Sequence, residues 1–309
     1  MALNYAEVWS PDLLEIMEQE SLTSPFVTTA VKWLSAKTFH FTQMSTSGYK
    51  SHSRLGGWNK GTFAQTDVPF TLTHDRDIQF MIDKIDVDET NETASIKNIS
   101  EVFHKTQQIP EMDAYFYSKV ATEAQKLDGY HSSTALSSYT KENVYGKLKS
   151  MLSAGKLRRY VAKGALIAYV NSTIMDLLEQ STDFTRKIEM TQIAEGGIGI
   201  ESRITDIDGV TLIEVIDDER FYDKFDFTDG FAPVTSTSHK INVLIASPLT
   251  VKTVPKISSI YYFNPGQHTE GDGYLYQDRS LSDTFIFPNG KDNKIDSIYV
   301  DVDTETYTA

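Results

Sequence analysis

Apolar residues recur along this chain with two different periods, and the change between them divides it. Phe39 and Phe41 fall on one side of the run 38–43, while Val68, Phe70 and Leu72, and then Ile78, Phe80 and Ile82, alternate with other residues. Alternation at period 2 puts successive side chains on opposite faces, so these runs are predicted strands. From Asn91 the spacing lengthens: Ile96, Ile99, Phe103, Met112, Phe116 and Val120 lie multiples of three and four apart. Asn91 or Thr93 can cap the helix this predicts. Running over 93–126, it would be about 50 Å long at a rise of about 1.5 Å per residue. Pro110 falls inside it, has no amide hydrogen to give, and is expected to bend it.

Upstream, Ser10-Pro11 makes a cap and first-turn pair ahead of Leu13, Leu14, Ile16 and Met17. This predicts a short amphipathic helix that ends by Ser24-Pro25. Downstream, 139–157 reads as a helix ending near Gly155, 166–170 as a buried strand, and Ser172 as the cap of a helix through Leu178. Residues 204–216 read as a hairpin turning at Asp208-Gly209, a dipeptide suited to two-residue turns. Strands are expected at 241–246, 259–263, 283–287 and 297–302. The class is α+β, with strands at both ends of the chain and a helical middle. No fixed-period repeat is found.

Between the first two strands lies 44–67, rich in Ser and Thr and carrying Gly48, Gly56, Gly57 and Gly61. A compact domain rarely keeps so long a polar loop, which is then disordered, functional or held by something outside its own domain. Its charge is one-sided. From Val31 to Thr66 there are five basic residues, Lys32, Lys37, Lys50, Arg54 and Lys60, and no acidic one.

Composition narrows the functions available. The 309 residues carry 29 Lys and Arg against 43 Asp and Glu, a formal net charge of −14. That balance disfavours gripping a polyanion over the whole surface. Cysteine is absent, which removes disulfides, thiolate metal sites and cysteine nucleophiles together and fits a reducing cytoplasm. The first residues lack a secretory pattern. The densest apolar run, 164–170, is far short of the roughly 20 residues that span a bilayer, so no membrane partner is expected. Residues 201–229 hold ten acidic residues against three basic ones. Such a segment is usually a solvated face, but it can also be half of a contact with the basic loop of another subunit.

Candidate chemistry is sparse. Gly196-Gly197-Ile198-Gly199 lacks the full glycine spacing and the Lys-Ser/Thr of a phosphate loop. None of the seven histidines, His40, His52, His74, His104, His131, His239 and His268, pairs with another at the i, i+4 spacing of a helical zinc site. Asp83, Asp86, Asp88 and Glu89 can attract Ca²⁺ but lack the EF-hand glycine, and acids at a helix start are also explained by the helix dipole. Glu111 and Asp113 are two apart on a helix, face different ways and make a poor acid/base pair. There is no Gly-x-Ser-x-Gly elbow. Catalysis, metals and cofactors are therefore not expected. Trp58 and Tyr49 among Lys50, Arg54 and Lys60 can stack on single-stranded bases, which keeps a nucleic-acid reading open. Docking on a protein surface is the other use of that loop.

Two stretches resemble a known family. Met1-Ala2-Leu3-Asn4-Tyr5-Ala6 is similar to the start of many major capsid proteins of siphophages with Gram-positive hosts. Ile85-Asp86-Val87-Asp88-Glu89-Thr90-Asn91, running on to Ile109-Pro110-Glu111-Met112-Asp113-Ala114-Tyr115, resembles the end of the extended loop and the spine helix of the same family. The family has the capsid fold named after phage Hong Kong 97. The resemblance implies an N-terminal arm over 1–35, an extended loop over 36–90, and a peripheral domain over 91–164 with its spine helix at 93–126. It further implies an axial domain over 165–249 and return strands over 250–309. It implies a non-catalytic shell subunit forming pentamers and hexamers around double-stranded DNA that it does not bind specifically. Expected partners are a separate scaffolding protein, portal and head-completion proteins, with assembly in the host bacterial cytoplasm and residence in the virion. An encapsulin-like shell protein is the alternative within the same architecture. Lys50, Arg54, Trp58 and Lys60, with Asp86, Asp88 and Glu89, are the expected contacts between subunits.

Overall fold

The computed structural model describes residues 20–29, 35, 37–52, 54, 56–89, 96–181, 188–190, 203–289 and 294–308. The helix expected after Ser10-Pro11 and the glycine motif at 196–199 lie outside these residues. A single 3-10 turn, Ser24–Phe26, carries Pro25. Strands β1 (Thr38–Thr46) and β2 (Phe63–Thr71) then pair along their full length as an antiparallel hairpin. β3 (His74–Asp83) follows and leads into α1 (Lys84–Glu89).

The long helix is present over 96–125 in three parts: α2 (Ile96–Phe103), a π-helical turn over His104–Gln108, and α3 (Ile109–Gln125). The wide turn sits where Pro110 has no N–H to return, and the Ile109 amide instead reaches five residues back to the His104 carbonyl. β4 (His131–Ser133), α4 (Val144–Leu152), α5 (Arg158–Val161), β5 (Ile167–Asn171) and α6 (Ser172–Glu179) follow. Of the helix expected over 139–157, only α4 forms. The cap of α6 is Asn171, not Ser172: the Asn171 side chain accepts the Thr173 amide, while the Ser172 hydroxyl donates to Glu214. Asn171, still extended, has its side chain free to fold over the first turn.

β6 (Ile188–Met190) precedes the hairpin of β7 (Arg203–Ile207) and β8 (Val210–Val215). Its turn is Asp208-Gly209 with φ of 52° and 79°, the paired positive values of the turn the sequence predicts. A small hairpin of β9 (Phe225–Asp226) and β10 (Ala232–Pro233) comes before β11 (His239–Ala246). The chain closes with β12 (Val251–Phe263), β13 (Gly273–Ile286) and β14 (Ile298–Thr306). The strands read at 259–263 and 283–287 are parts of the longer β12 and β13.

Two sheets organise these elements. A mixed seven-stranded sheet has the order β4-β14-β11-β5-β8-β7-β6, and a three-stranded antiparallel sheet has the order β12-β13-β3. The stretch 250–309 thus contributes to both, because β12 and β13 pair with β3 while β14 lies beside β11. The face of α3 bearing Phe116, Val120, Ala121 and Ala124 packs on one side of the large sheet, against Leu244, Ala246, Val300 and Val215. α4 and α6 cover the other side through Leu148, Leu152, Ile174 and Leu178. Covered on both faces, β11 reads as an apolar run with no alternation.

Candidate subunit-contact surfaces

The β1–β2 hairpin is anchored at its base and free at its tip. Phe39, Phe70 and Leu72 at the base pack with Val254, Leu281, Phe285 and Phe287 of the three-stranded sheet. Phe39 meets Phe285 edge-on at 5.1 Å, and Phe70 meets Phe287 at 5.0 Å. Leu72 and Thr73 form the joint between hairpin and β3. Its fastener is Asp283, almost wholly buried. The carboxylate accepts the Thr73 amide at 3.0 Å, the Thr73 hydroxyl at 2.9 Å and the Tyr115 hydroxyl of α3 at 2.8 Å, with Lys119 3.7 Å away. Burial and the Asp283 charge push the Tyr115 phenol well above its ordinary range, so it stays a donor. One carboxylate thereby fixes the hairpin to the long helix. Sequence reading misses it because Thr73, Tyr115 and Asp283 are far apart in the chain.

Outside this joint, Asp75 accepts hydrogen bonds from Arg279 at 2.9 and 3.0 Å and from Lys37 at 3.0 Å. These, Arg279 foremost, hold its carboxyl down at about 2 from 3.8. A depressed carboxylate contributes stability that is complete above the unfolded value and lost as pH falls through the folded one. Thermal melts are therefore expected to lose an increment between pH 3.8 and about 2, and Asp75→Asn to flatten that part of the profile. An unchanged acid limb in the variant would show that the pair does not stabilise the base.

The tip is built from the residues the sequence singles out. Lys50, Arg54, Trp58 and Lys60 are all exposed, Trp58 at 94% and Tyr49 fully, with Met44 and Phe63 also exposed on the strands. The loop closes on itself through Asn59, whose side chain donates to the Ser51 carbonyl at 2.8 Å, and through Lys50, whose ammonium donates to the Lys60 carbonyl at 3.1 Å. Among the described residues, no ion pair joins Lys50, Arg54 or Lys60 to a carboxylate. Large aromatic groups and three cations are thus held out in solvent on a two-stranded stem.

Of the acidic residues expected opposite them, Asp86 lies exposed in the first turn of α1, which Asp83 opens by accepting the Ile85 amide at 2.8 Å. The backbone of Asp88 and Glu89 completes α1, and their side chains fall outside the described residues. The segment 201–229 is in part the solvated face its composition implies, with Asp206, Asp208, Glu219, Asp226 and Asp229 exposed, but Glu214 and Asp223 are buried. Asp208 pairs with Lys149 at 3.4 Å, Asp217 with Arg220, and Asp218 with Lys240. Asp223 accepts Gln125 at 2.8 Å and the His239 amide at 2.7 Å. Much of this charge is committed within the subunit.

Glu111 and Asp113 face different ways, as their spacing predicts. Glu111 takes a two-pronged hydrogen bond from Arg76, at 2.6 and 3.3 Å, and Arg76 also donates to the carbonyls of Phe227 and, at 3.1 Å, Gly230. His74 stacks on Tyr115 at 4.0 Å and meets Phe227 edge-on. The strap between β9 and β10 is so riveted across the long helix to β3. Among the described residues, no group of three or more His, Asp or Glu can hold a metal ion, and no helix is long and apolar enough to cross a membrane.

No protein-family model matches the chain, and no curated protein matches it. Solved structures do. A chain of the mature capsid of bacteriophage PhiM1 matches over 97% of this chain and 92% of its own, with a TM-score of 0.63 at 12% identity. A chain from the capsid of the cyanophage P-SCSP1u matches over 96% and 92%, with a TM-score of 0.60 at 11% identity. One from Mycobacterium phage Che8 matches over 95% of both chains, with a TM-score of 0.55 at 14% identity. The chain is therefore an α+β protein with the fold of phage capsid subunits. The likeness runs through both sheets and the long helix, since it covers nearly every residue.

Proposed function

We propose that this chain is the major capsid protein of a tailed bacteriophage. It forms the pentamers and hexamers of an icosahedral head that encloses double-stranded DNA. The observation that carries the reading is the likeness, over almost the whole length of both partners, to chains of assembled capsids. The hairpin supports it independently: a monomer gains nothing by holding Tyr49, Trp58 and three cations in water, whereas a subunit clamped by its neighbours covers them. On this reading residues 36–90 are the extended loop, 91–164 with the long helix and 250–309 form the peripheral domain, and 165–249 form the axial domain. The head assembles in the host cytoplasm with a separate scaffolding protein, portal and head-completion proteins, and its role is structural. The similarity of residues 1–6 and 85–115 to siphophage capsid proteins points to a Gram-positive host.

Sedimentation velocity tests this directly. Protein produced with the other head proteins of its phage is expected to run as capsomers and shells. A 34.8 kDa monomer at every concentration, with those proteins present, would overturn the reading. The exposed Trp58 beside Lys50, Arg54 and Lys60 favours one rival, a single-strand binder. A wall of net charge −14 releases few counterions on meeting DNA and lets the genome slide. The free subunit is accordingly expected to show no salt-sensitive DNA affinity. Tight binding at low salt that disappears in the Lys50, Arg54, Lys60→Ala variant would support the rival.

A further inference from the structure

The π-helical turn and Met112 lie over the β3–β13 face and leave a cavity of about 630 Å³, closed at one side by the strap at 228–230. Its apolar lining is Ile78, Phe80, Phe103 and Met112, and its charged lining includes Asp229 and Asp278. Arg76 also lines it but is committed to Glu111 and the strap carbonyls. Asp278 is the unusual member. It is 5% exposed, lies in register between Ile78 and Ile260, and has the Tyr276 hydroxyl as a donor at 3.2 Å. Among the described residues it makes no ion pair. Burial, with the Asp278 charge, pushes Tyr276 up to about 12, so that hydroxyl remains a donor at neutral pH. A buried carboxylate with one neutral donor has exchanged much of its hydration for little. A cation brought into the cavity would restore the balance.

We infer that the cavity is the receptor for the basic, aromatic hairpin tip of a second copy of this chain. The inference rests on the shell reading above and names the partner surface within it. Two complementarities select this occupant. The tip offers Trp58 and Tyr49 to a half-buried apolar floor, and Lys50, Arg54 and Lys60 to Asp278 and Asp229. Within 201–229, Asp208, Asp217 and Asp218 are weaker receptors because they already hold cations of their own subunit, and Asp229 is the acid of this segment that lines the cavity. Among the described residues of the tip, none lines the cavity of its own subunit, which leaves the site open to a neighbour.

Unmodified shells test this without any substitution. Shells are assembled from equal amounts of isotopically heavy and light subunits, and a zero-length carbodiimide joins amines to touching carboxylates. Mass spectrometry is expected to find Lys50 or Lys60 linked to Asp229 or Asp278, with heavy–light pairs about as frequent as statistics allow. Asp278→Asn, with Asp229→Asn, is expected to cut the yield of shells at least tenfold while leaving the circular dichroism spectrum unchanged. Intact shells in which Lys50 and Lys60 join only other acids, such as Asp86 or Asp272, or join nothing, would overturn the inference and leave the shell reading standing. Absence of shells with all head proteins present would overturn both.

Discussion

Arg220→Ala is expected to lower the midpoint of thermal unfolding by on the order of 10 °C. Arg220 and Asp113 are a buried ion pair, 2% and 0% exposed, at 3.2 Å. Asp113 also accepts the Ser21 hydroxyl at 2.9 Å, the Leu22 amide at 3.1 Å and the Thr23 hydroxyl at 2.7 Å. The cluster ties the segment entering from the N-terminal side to the long helix and to the turn at Asp218–Arg220. Burial pushes the Asp113 carboxyl above its ordinary range, against the pull of Arg220 and the three other donors. Removing the guanidinium leaves that carboxylate buried without its cation, which costs about 3–5 kcal/mol. Replacing both partners by apolar residues of similar volume removes the charge that Arg220→Ala leaves behind. The double variant Asp113→Leu, Arg220→Met is therefore expected to melt above Arg220→Ala. Calorimetry giving the single variant a wild-type midpoint would show that the pair does not hold these elements together.

Reversing Lys50, Arg54 and Lys60 to Glu is expected to leave the subunit folded and to abolish or distort its shells. The three residues touch no part of the core, and the hairpin base is set by Phe39, Phe70, Leu72 and Asp283 instead. Locally, the variant loses the Lys50–Lys60 bond across an exposed loop, a minor cost. Each exposed ion pair contributes only about 0.2–1 kcal/mol. On the shell reading, however, a contact repeated around every capsomer acts jointly, and reversal would turn weak attraction into repulsion at each copy. The variant also shifts the net charge by −6, so Lys97, Lys141 and Lys163→Glu serves as a control of equal charge on exposed positions elsewhere. The control is expected to assemble. A tip variant that assembles as well as the control would remove the hairpin from the account of assembly.

The two periods of apolar residues made the hairpin and the long helix legible, and the helix widens into a π-helical turn just ahead of Pro110. The Asp208-Gly209 turn was legible because its dipeptide fits few other conformations. Glu111 and Asp113 were correctly set on different faces, but their partners, Arg76 and Arg220, come from 35 and 107 residues away. Asp283 and Asp278 carried no local signal at all, since each is an unremarkable Asp in a strand whose meaning comes from what packs over it. The acidic segment was legible only in part for the same reason. Composition counts charges, and only the folded chain shows that Asp208, Asp217 and Asp218 already have cations. The pairing of β14 with both β4 and β11 joins segments more than 50 residues apart, which no local pattern encodes.

Electron cryomicroscopy of the protein produced together with the other head proteins of its phage tests the central claim most directly. The predicted result is closed icosahedral shells whose pentamers and hexamers are built from this subunit, with the β1–β2 hairpin of each copy laid on a neighbour. Particles that never exceed single subunits, at high concentration and with every head protein present, would contradict it.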